Sequence, residues 1–174
     1  VYLHYVFDLW VRRCRRHSAT GDMTVVRYDD DIVLGFEHRA DAERFLQEWQ
    51  DRMRSFGLAL HPDKTRLIEF GRHAAEQRKR RGEGKPDTFD FLGFTHCCSR
   101  TRRGAFTILR LTIKKRMRAT LVALREVLYR RRHEPVAEVG RWLNRVVRGY
   151  FNYHTVPGNL TRLEGFRAEV TRAW

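Results

Sequence analysis

The chain has 174 residues, 42% of them hydrophobic and 12% aromatic, with 35 Lys+Arg against 21 Asp+Glu and a formal net charge of +14. That much apolar material excludes a wholly disordered chain, and the length suits one ordinary domain or two small ones, at ~100–200 residues per domain. No apolar run reaches the ~20 residues of a membrane span, no secretory signal opens the chain, and Cys14, Cys97 and Cys98 are too few for a disulfide framework. These features predict a reducing, cytoplasmic setting without membrane attachment. Val1 stands inside an apolar segment with no initiator Met, as in a piece of a longer chain.

Taken in chain order, Tyr2 to His17 sets Leu3, Val6, Phe7, Trp10 and Cys14 at helical spacing, with Arg12, Arg13, Arg15 and Arg16 at the other positions. After a turn at Thr20-Gly21-Asp22 come two β-rich runs, Met23 to Tyr28 and Ile32 to Phe36, separated only by Asp29-Asp30-Asp31: a hairpin with an acidic tip. Arg39 to Phe56 is an amphipathic helix with Phe45, Leu46, Trp49, Met53 and Phe56 on its apolar face, ended by Gly57. Leu58 to Leu60 and Thr65 to Phe70 are expected to form a further strand pair broken by His61-Pro62-Asp63. Gly71 to Asp87, polar and centred on Arg78-Lys79-Arg80-Arg81, is expected to be an exposed loop. Thr88 to Thr95 and Ala105 to Thr112 read as strands joined by a basic turn at Arg100 to Gly104. The period then changes. Ile113, Met117, Leu121, Leu124 and Leu128 mark one helix, Val136, Val139, Leu143, Val147, Tyr150 and Phe151 a second, and Leu160 to Trp174 a third.

The positive charge is concentrated. Between Gly71 and His133 there are 18 basic and 5 acidic residues, leaving 17 and 16 for the remainder. Localised positive charge is the footprint of a protein that binds a phosphate backbone.

The acidic tip has two readings. Asp is common in hairpin turns because it tolerates their dihedrals and bonds its own backbone. Adjacent carboxylates also repel unless a cation neutralises them, and Mg²⁺ is usually held by one or two protein carboxylates with waters and substrate phosphates completing its shell. A pair of such ions clamps the attacking and leaving oxygens of an in-line phosphoryl displacement.

Four motifs in order decide the context. Arg27-Tyr28-Asp29-Asp30-Asp31-Ile32-Val33 resembles the Tyr-x-Asp-Asp box of the group II intron reverse transcriptases, or intron-encoded maturases. Gly57 to Thr65, ending in Lys64-Thr65, is similar to the palm block that follows. Phe89-Asp90-Phe91-Leu92-Gly93-Phe94 resembles the Phe-Leu-Gly-Phe primer-grip block. Leu143-Asn144-Arg145-Val146-Val147-Arg148-Gly149-Tyr150-Phe151-Asn152-Tyr153 resembles the thumb, or X-domain, signature.

The resemblance implies an α+β fold: residues 1–112 as the C-terminal part of a polymerase palm, a ferredoxin-like antiparallel sheet with packed helices, and 113–174 as an α-helical thumb. It implies RNA-directed DNA synthesis with an RNA template or intron RNA, a DNA primer and deoxynucleoside triphosphates as partners. Asp30 and Asp31 would be the Mg²⁺ ligands, Asp30 foremost, and Lys64 would sit near the departing pyrophosphate. Tyr28 would floor the primer terminus, and Phe91, Leu92 and Gly93 would support the primer strand. Arg78, Lys79, Arg80, Arg81, Lys114, Lys115 and Arg118 would meet nucleic acid. Tyr150, Phe151 and Tyr153 are open to base stacking or helix packing. Two departures matter: Asp29 stands where the family usually has Ala, and the family's third carboxylate lies upstream of Val1. The chain alone is therefore expected not to polymerise DNA. The rival reading is a non-catalytic RNA-binding splicing factor, and a third is a nuclease using Asp30 and Asp31.

Overall fold

In the computed structural model, which describes residues 2–174, the first apolar stripe becomes a helix in two parts. A π-helical turn, His4–Asp8, continues into α1 (Leu9–His17). Phe7, Val11 and Cys14 are buried on one side of it, as their three- and four-residue spacing requires. The chain divides into two units, Val1–Ile68 and Glu69–Trp174; Val1 itself lies outside the described residues.

In the first unit β1 (Met23–Tyr28) and β2 (Asp31–Phe36) form an antiparallel hairpin with Met23 opposite Phe36 and Tyr28 opposite Asp31. Strand alternation turns Met23, Val25, Ile32, Leu34 and Phe36 toward a core built on Phe7, Val11 and Cys14 and on Phe45 of α2 (Arg39–Ser55). Helix α2 stops as its glycine predicts. Gly57 adopts φ +69°, its N–H donates to the Arg54 carbonyl at 3.0 Å, and the Leu58 N–H donates to the Met53 carbonyl at 2.9 Å, which is the Schellman pairing.

Two acids hold this unit together. Asp41, buried in the first turn of α2, accepts from the Thr20 hydroxyl at 2.8 Å, the Thr20 N–H at 2.8 Å and the Gly21 N–H at 3.2 Å, and from Arg44 at 2.6 Å. Asp8 receives both arms of Arg27, Nε at 2.8 Å and Nη2 at 2.7 Å. The Thr20 hydroxyl is the main reason the Asp41 carboxyl titrates low, and the hydrogen bond from Arg27 does the same for Asp8. Both folded-state values lie below the unfolded value of 3.8. Their stabilisation is therefore complete above that value and is lost as pH falls through the lower folded ones. Amide protection of β1 and β2 should hold down to about pH 4 and collapse below it; in an Asp41→Asn variant that acid dependence becomes shallower.

The second unit begins with a difference from the sequence reading. Gly71 to Asp87 is not all loop: Ala74–Arg80 forms a short helix, α3. Its Ala-Ala-Glu-Gln-Arg-Lys-Arg run consists of strong helix formers, and Glu76 pairs with Arg80 at 2.6 Å, four residues on. The expected strands at Leu58 to Leu60 and Thr65 to Phe70 are absent; a turn occupies His61–Thr65, where the Lys64 and Thr65 N–H groups donate to the His61 carbonyl. Two short runs with no third strand beside them are marginal as a ladder. Thr88 to Thr95 is likewise not one strand. It folds on itself as β3 (Phe89–Phe91) and the start of β4 (Phe94–Arg100), with Phe91 opposite Phe94.

Strand β5 (Phe106–Thr112) completes a three-stranded antiparallel sheet of order β3-β4-β5. The helices α4 (Lys114–Arg130), α5 (Val136–His154) and α6 (Leu160–Ala173) share a core of Leu121, Leu124, Leu143, Phe166 and Val170. The Tyr150 ring lies flat on Phe166, centroids 3.7 Å apart, so Tyr150 packs the helices together. The 112/113 junction, where periodicity changes, falls inside this second unit.

Asn159 ties the end of β5 to the α5–α6 loop. It is fully buried; its Oδ1 accepts from the Thr112 N–H at 2.9 Å, and its Nδ2 donates to the Thr112 hydroxyl at 2.7 Å and the His154 carbonyl at 2.8 Å. Among the described residues no helix is long and apolar enough to cross a membrane.

Candidate active site

The register leaves Asp29 and Asp30 as a two-residue loop between Tyr28 and Asp31. Asp29 has φ +55°, and Asp30 does not share the positive φ, the sign pattern of a II′ turn whose first central position favours Gly. Asp tolerates the left-handed region better than Ala because its short polar side chain bonds locally. This accounts for Asp at a position where the resembling family usually carries Ala. Asp29→Gly should leave the hairpin as stable or slightly more so, whereas Asp29→Ala should cost about 1 kcal/mol, measured as a shift in the urea midpoint.

Among the described residues the tip is braced by Arg27. Arg27, already forked onto Asp8, donates its Nη1 to the Asp29 carbonyl at 2.8 Å. Tyr28, 64% exposed, and Asp31 lie opposite each other on the outer face, together with Val26 and Val33. The core-forming side chains occupy the inner face. Asp30 and Asp31 are exposed, and neither makes an ion pair or side-chain hydrogen bond among the described residues. Two adjacent carboxylates thus stand unneutralised in a strongly cationic protein. Hard carboxylate oxygens are the donors Mg²⁺ prefers, and one or two of them suffice when substrate phosphates complete the octahedron. The pair fits that chemistry. No group of three or more His, Cys, Asp or Glu is gathered for a metal among the described residues. Lys64 is exposed in the His61–Thr65 turn and forms no ion pair with the tip.

Phe91, Leu92 and Gly93 come together in the second unit. Leu92 (φ +46°) and Gly93 (φ +80°) are the two central residues of the β3–β4 turn. Positive φ at both defines a I′ turn, which suits Gly93 and strains Leu92. The turn is nonetheless held at both carbonyls: the Tyr153 hydroxyl donates to Leu92 at 2.9 Å, and the Ile113 N–H donates to Gly93 at 3.2 Å. A Cβ at Gly93 would lie 3.5 Å from the Tyr153 ring. Tyr153 is therefore a brace for this hairpin, a role its spacing beside Arg148 and His154 did not reveal.

The basic residues separate into two groups. Arg78 pairs with Asp87 at 3.0 Å, Arg80 with Glu76, and Arg81 with Glu69 and Glu83; these partners hold the Arg81 guanidinium firmly protonated. Lys114, Lys115 and Arg118 are exposed at the start of α4 and have no such partner among the described residues. Cations in a first turn oppose the helix dipole, and α4 has neither an acidic residue there nor a side-chain cap. Their charge is available to an external anion. Sequence reasoning assigned no structural role to Asp8, Arg27, Asp41 or Asn159, each of which has a partner at least 19 residues away along the chain.

The search among curated proteins and the search among solved structures return no match. A family model described as reverse transcriptase (RNA-dependent DNA polymerase) matches residues 1–96. That span contains the hairpin with its unpaired carboxylates and the Leu92–Gly93 turn, and as more than half of the sequence it makes this chain a member of the reverse transcriptase family.

Proposed function

We propose that the chain is the later palm and the helical thumb, within 1–112 and 113–174, of a group II intron-type reverse transcriptase that adds deoxynucleotides to a primer 3′-hydroxyl on an RNA template. The observation that carries this reading is the pair of exposed, unpartnered carboxylates, Asp30 and Asp31, on a two-residue turn. Asp30 and Asp31 hold Mg²⁺, which when bound supplies charge neutralisation at the reacting phosphate and a more acidic primer hydroxyl. Tyr28 offers a flat surface beside Asp31 for the terminal nucleotide. Lys64 meets the departing pyrophosphate. The braced turn of Phe91, Leu92 and Gly93 supports the primer strand, where a glycine admits close approach of a second backbone. Lys114, Lys115 and Arg118 contact phosphates of the duplex, with Lys79 the member of the Arg78–Arg81 run that has no ion pair among the described residues.

A two-ion site requires a further carboxylate, and none joins Asp30 and Asp31 among the described residues. The exposed cations Lys114, Lys115 and Arg118, without ion-pair partners among the described residues, serve equally a second reading, an RNA-binding splicing role exercised without synthesis. Primer extension and RNA binding, measured side by side on Asp30→Ala in a protein with a complete palm, separate the two. Loss of synthesis with retained binding supports the polymerase; unchanged synthesis overturns it.

A further inference from the structure

Helix α1 carries four arginines, Arg12, Arg13, Arg15 and Arg16, none of which has an ion-pair or hydrogen-bond partner among the described residues, although arginines elsewhere in the chain pair repeatedly with nearby acids. Leu9, Arg12, Arg13 and Arg16 recur at i, i+3, i+4 and i+7, so they share one helix face, and they line a shallow groove of about 350 Å³. Leu9 is 46% exposed and forms an apolar strip beside the guanidinium groups; Tyr5, 62% exposed, stands four residues before it. This face is opposite the one that bears Phe7, Val11 and Cys14, which packs toward the inner side of the β1–β2 hairpin. Tyr28 and Asp31 point away from that same core on the hairpin's outer side. Within the first unit, the arginine face and the carboxylate tip therefore look in different directions.

We propose that the Leu9–Arg12–Arg13–Arg16 face of α1 binds a second segment of RNA, separate from the strand held at the carboxylates. The argument rests on membership of a nucleic-acid polymerase family but not on the roles assigned to Asp30 and Asp31. Unpaired guanidinium forks match phosphate oxygens bidentately, and an exposed apolar and aromatic strip accepts the faces of unpaired bases. A single-stranded nucleic acid uses both features at once, and RNA is the strand that an RNA-dependent DNA polymerase family points to.

The experiment is a salt titration of binding by the full 174-residue chain, with a fluorescein-labelled single-stranded RNA as probe. Each phosphate neutralised on a single strand contributes about −0.7 to the slope of log K against log salt. Replacing Arg12, Arg13 and Arg16 by Gln should make that slope shallower by about 2. The triple Lys variant at the same positions should retain it, which separates lost contacts from lost folding. A control with Arg39→Gln, Arg54→Gln and Arg172→Gln removes equal charge from other helices and should leave the slope unchanged. An unchanged slope in the Arg12/Arg13/Arg16 variant, or an equal loss in the control, overturns the proposal. Binding of phosphatidylserine vesicles that depends on these arginines, with the RNA slope unaffected, also overturns it and assigns the face to a membrane surface. Because Asp30 is intact throughout, failure here leaves the polymerase reading untouched.

Discussion

Asp30→Ala in a protein with a complete palm is expected to lower template-directed incorporation by about 10³-fold or more, equivalent to about 4 kcal/mol of transition-state stabilisation. The size follows from the isolation of the tip. Among the described residues no group of three or more His, Cys, Asp or Glu is gathered to hold a metal, so no ready-made set of this chain's ligands stands in for a lost Asp30. Arg27 bonds the Asp29 carbonyl and the Asp8 carboxylate, not the Asp30 side chain, so the turn should survive the substitution. RNA affinity should be unchanged or slightly higher, because the substitution removes a negative charge that repels phosphates. The decisive pair of measurements is single-nucleotide incorporation and equilibrium RNA binding on the same preparation. Incorporation near the parent rate would mean that the acidic tip is turn chemistry alone.

Asn159→Ala is expected to destabilise the second unit by about 3–4 kcal/mol. Asn159 is fully buried and satisfies three groups: the Thr112 N–H, the Thr112 hydroxyl and the His154 carbonyl. Removing it leaves buried polar groups without partners, each costing about 1–3 kcal/mol before relaxation and entering water offset part of the loss. Urea unfolding followed through the α4–α6 helical signal measures this directly. In the Thr112→Val background the penalty should shrink, because one orphaned hydroxyl is then gone, and the difference between backgrounds gives the coupling of the pair. A loss below about 1 kcal/mol would show that the loop relaxes to wet these groups.

What could be read from the sequence was what local chemistry determines. The β1–β2 hairpin followed from apolar alternation interrupted by turn-forming aspartates, and the end of α2 followed from Gly57. Helices α4 to α6 followed from a sustained period near 3.6. The strand reading failed at Thr65 to Phe70 because alternation specifies a face but does not supply a partner strand. It failed at Thr88 to Thr95 because Leu92, which ordinarily avoids positive φ, occupies the first position of a I′ turn. Helix α3 was hidden by its charge, which resembles a solvated loop until Glu76 and Arg80 are seen one turn apart. In the candidate site the run Tyr28-Asp29-Asp30-Asp31 was readable as a hairpin tip because its residues are contiguous. The supports were not: Asp8 reaches Arg27, and Tyr153 reaches Leu92 across 61 residues of chain.

Tyr153 belongs to the last turn of α5, yet its hydroxyl ends on the carbonyl of the one strained non-glycine residue in the β3–β4 turn. The ring also stacks against Phe94, the first residue of the returning strand. A helix end and a loop apex are thereby riveted at two points, and a small roll of the rod must drag the apex with it. Such a linkage couples any motion of α5 to the position of the β3–β4 apex.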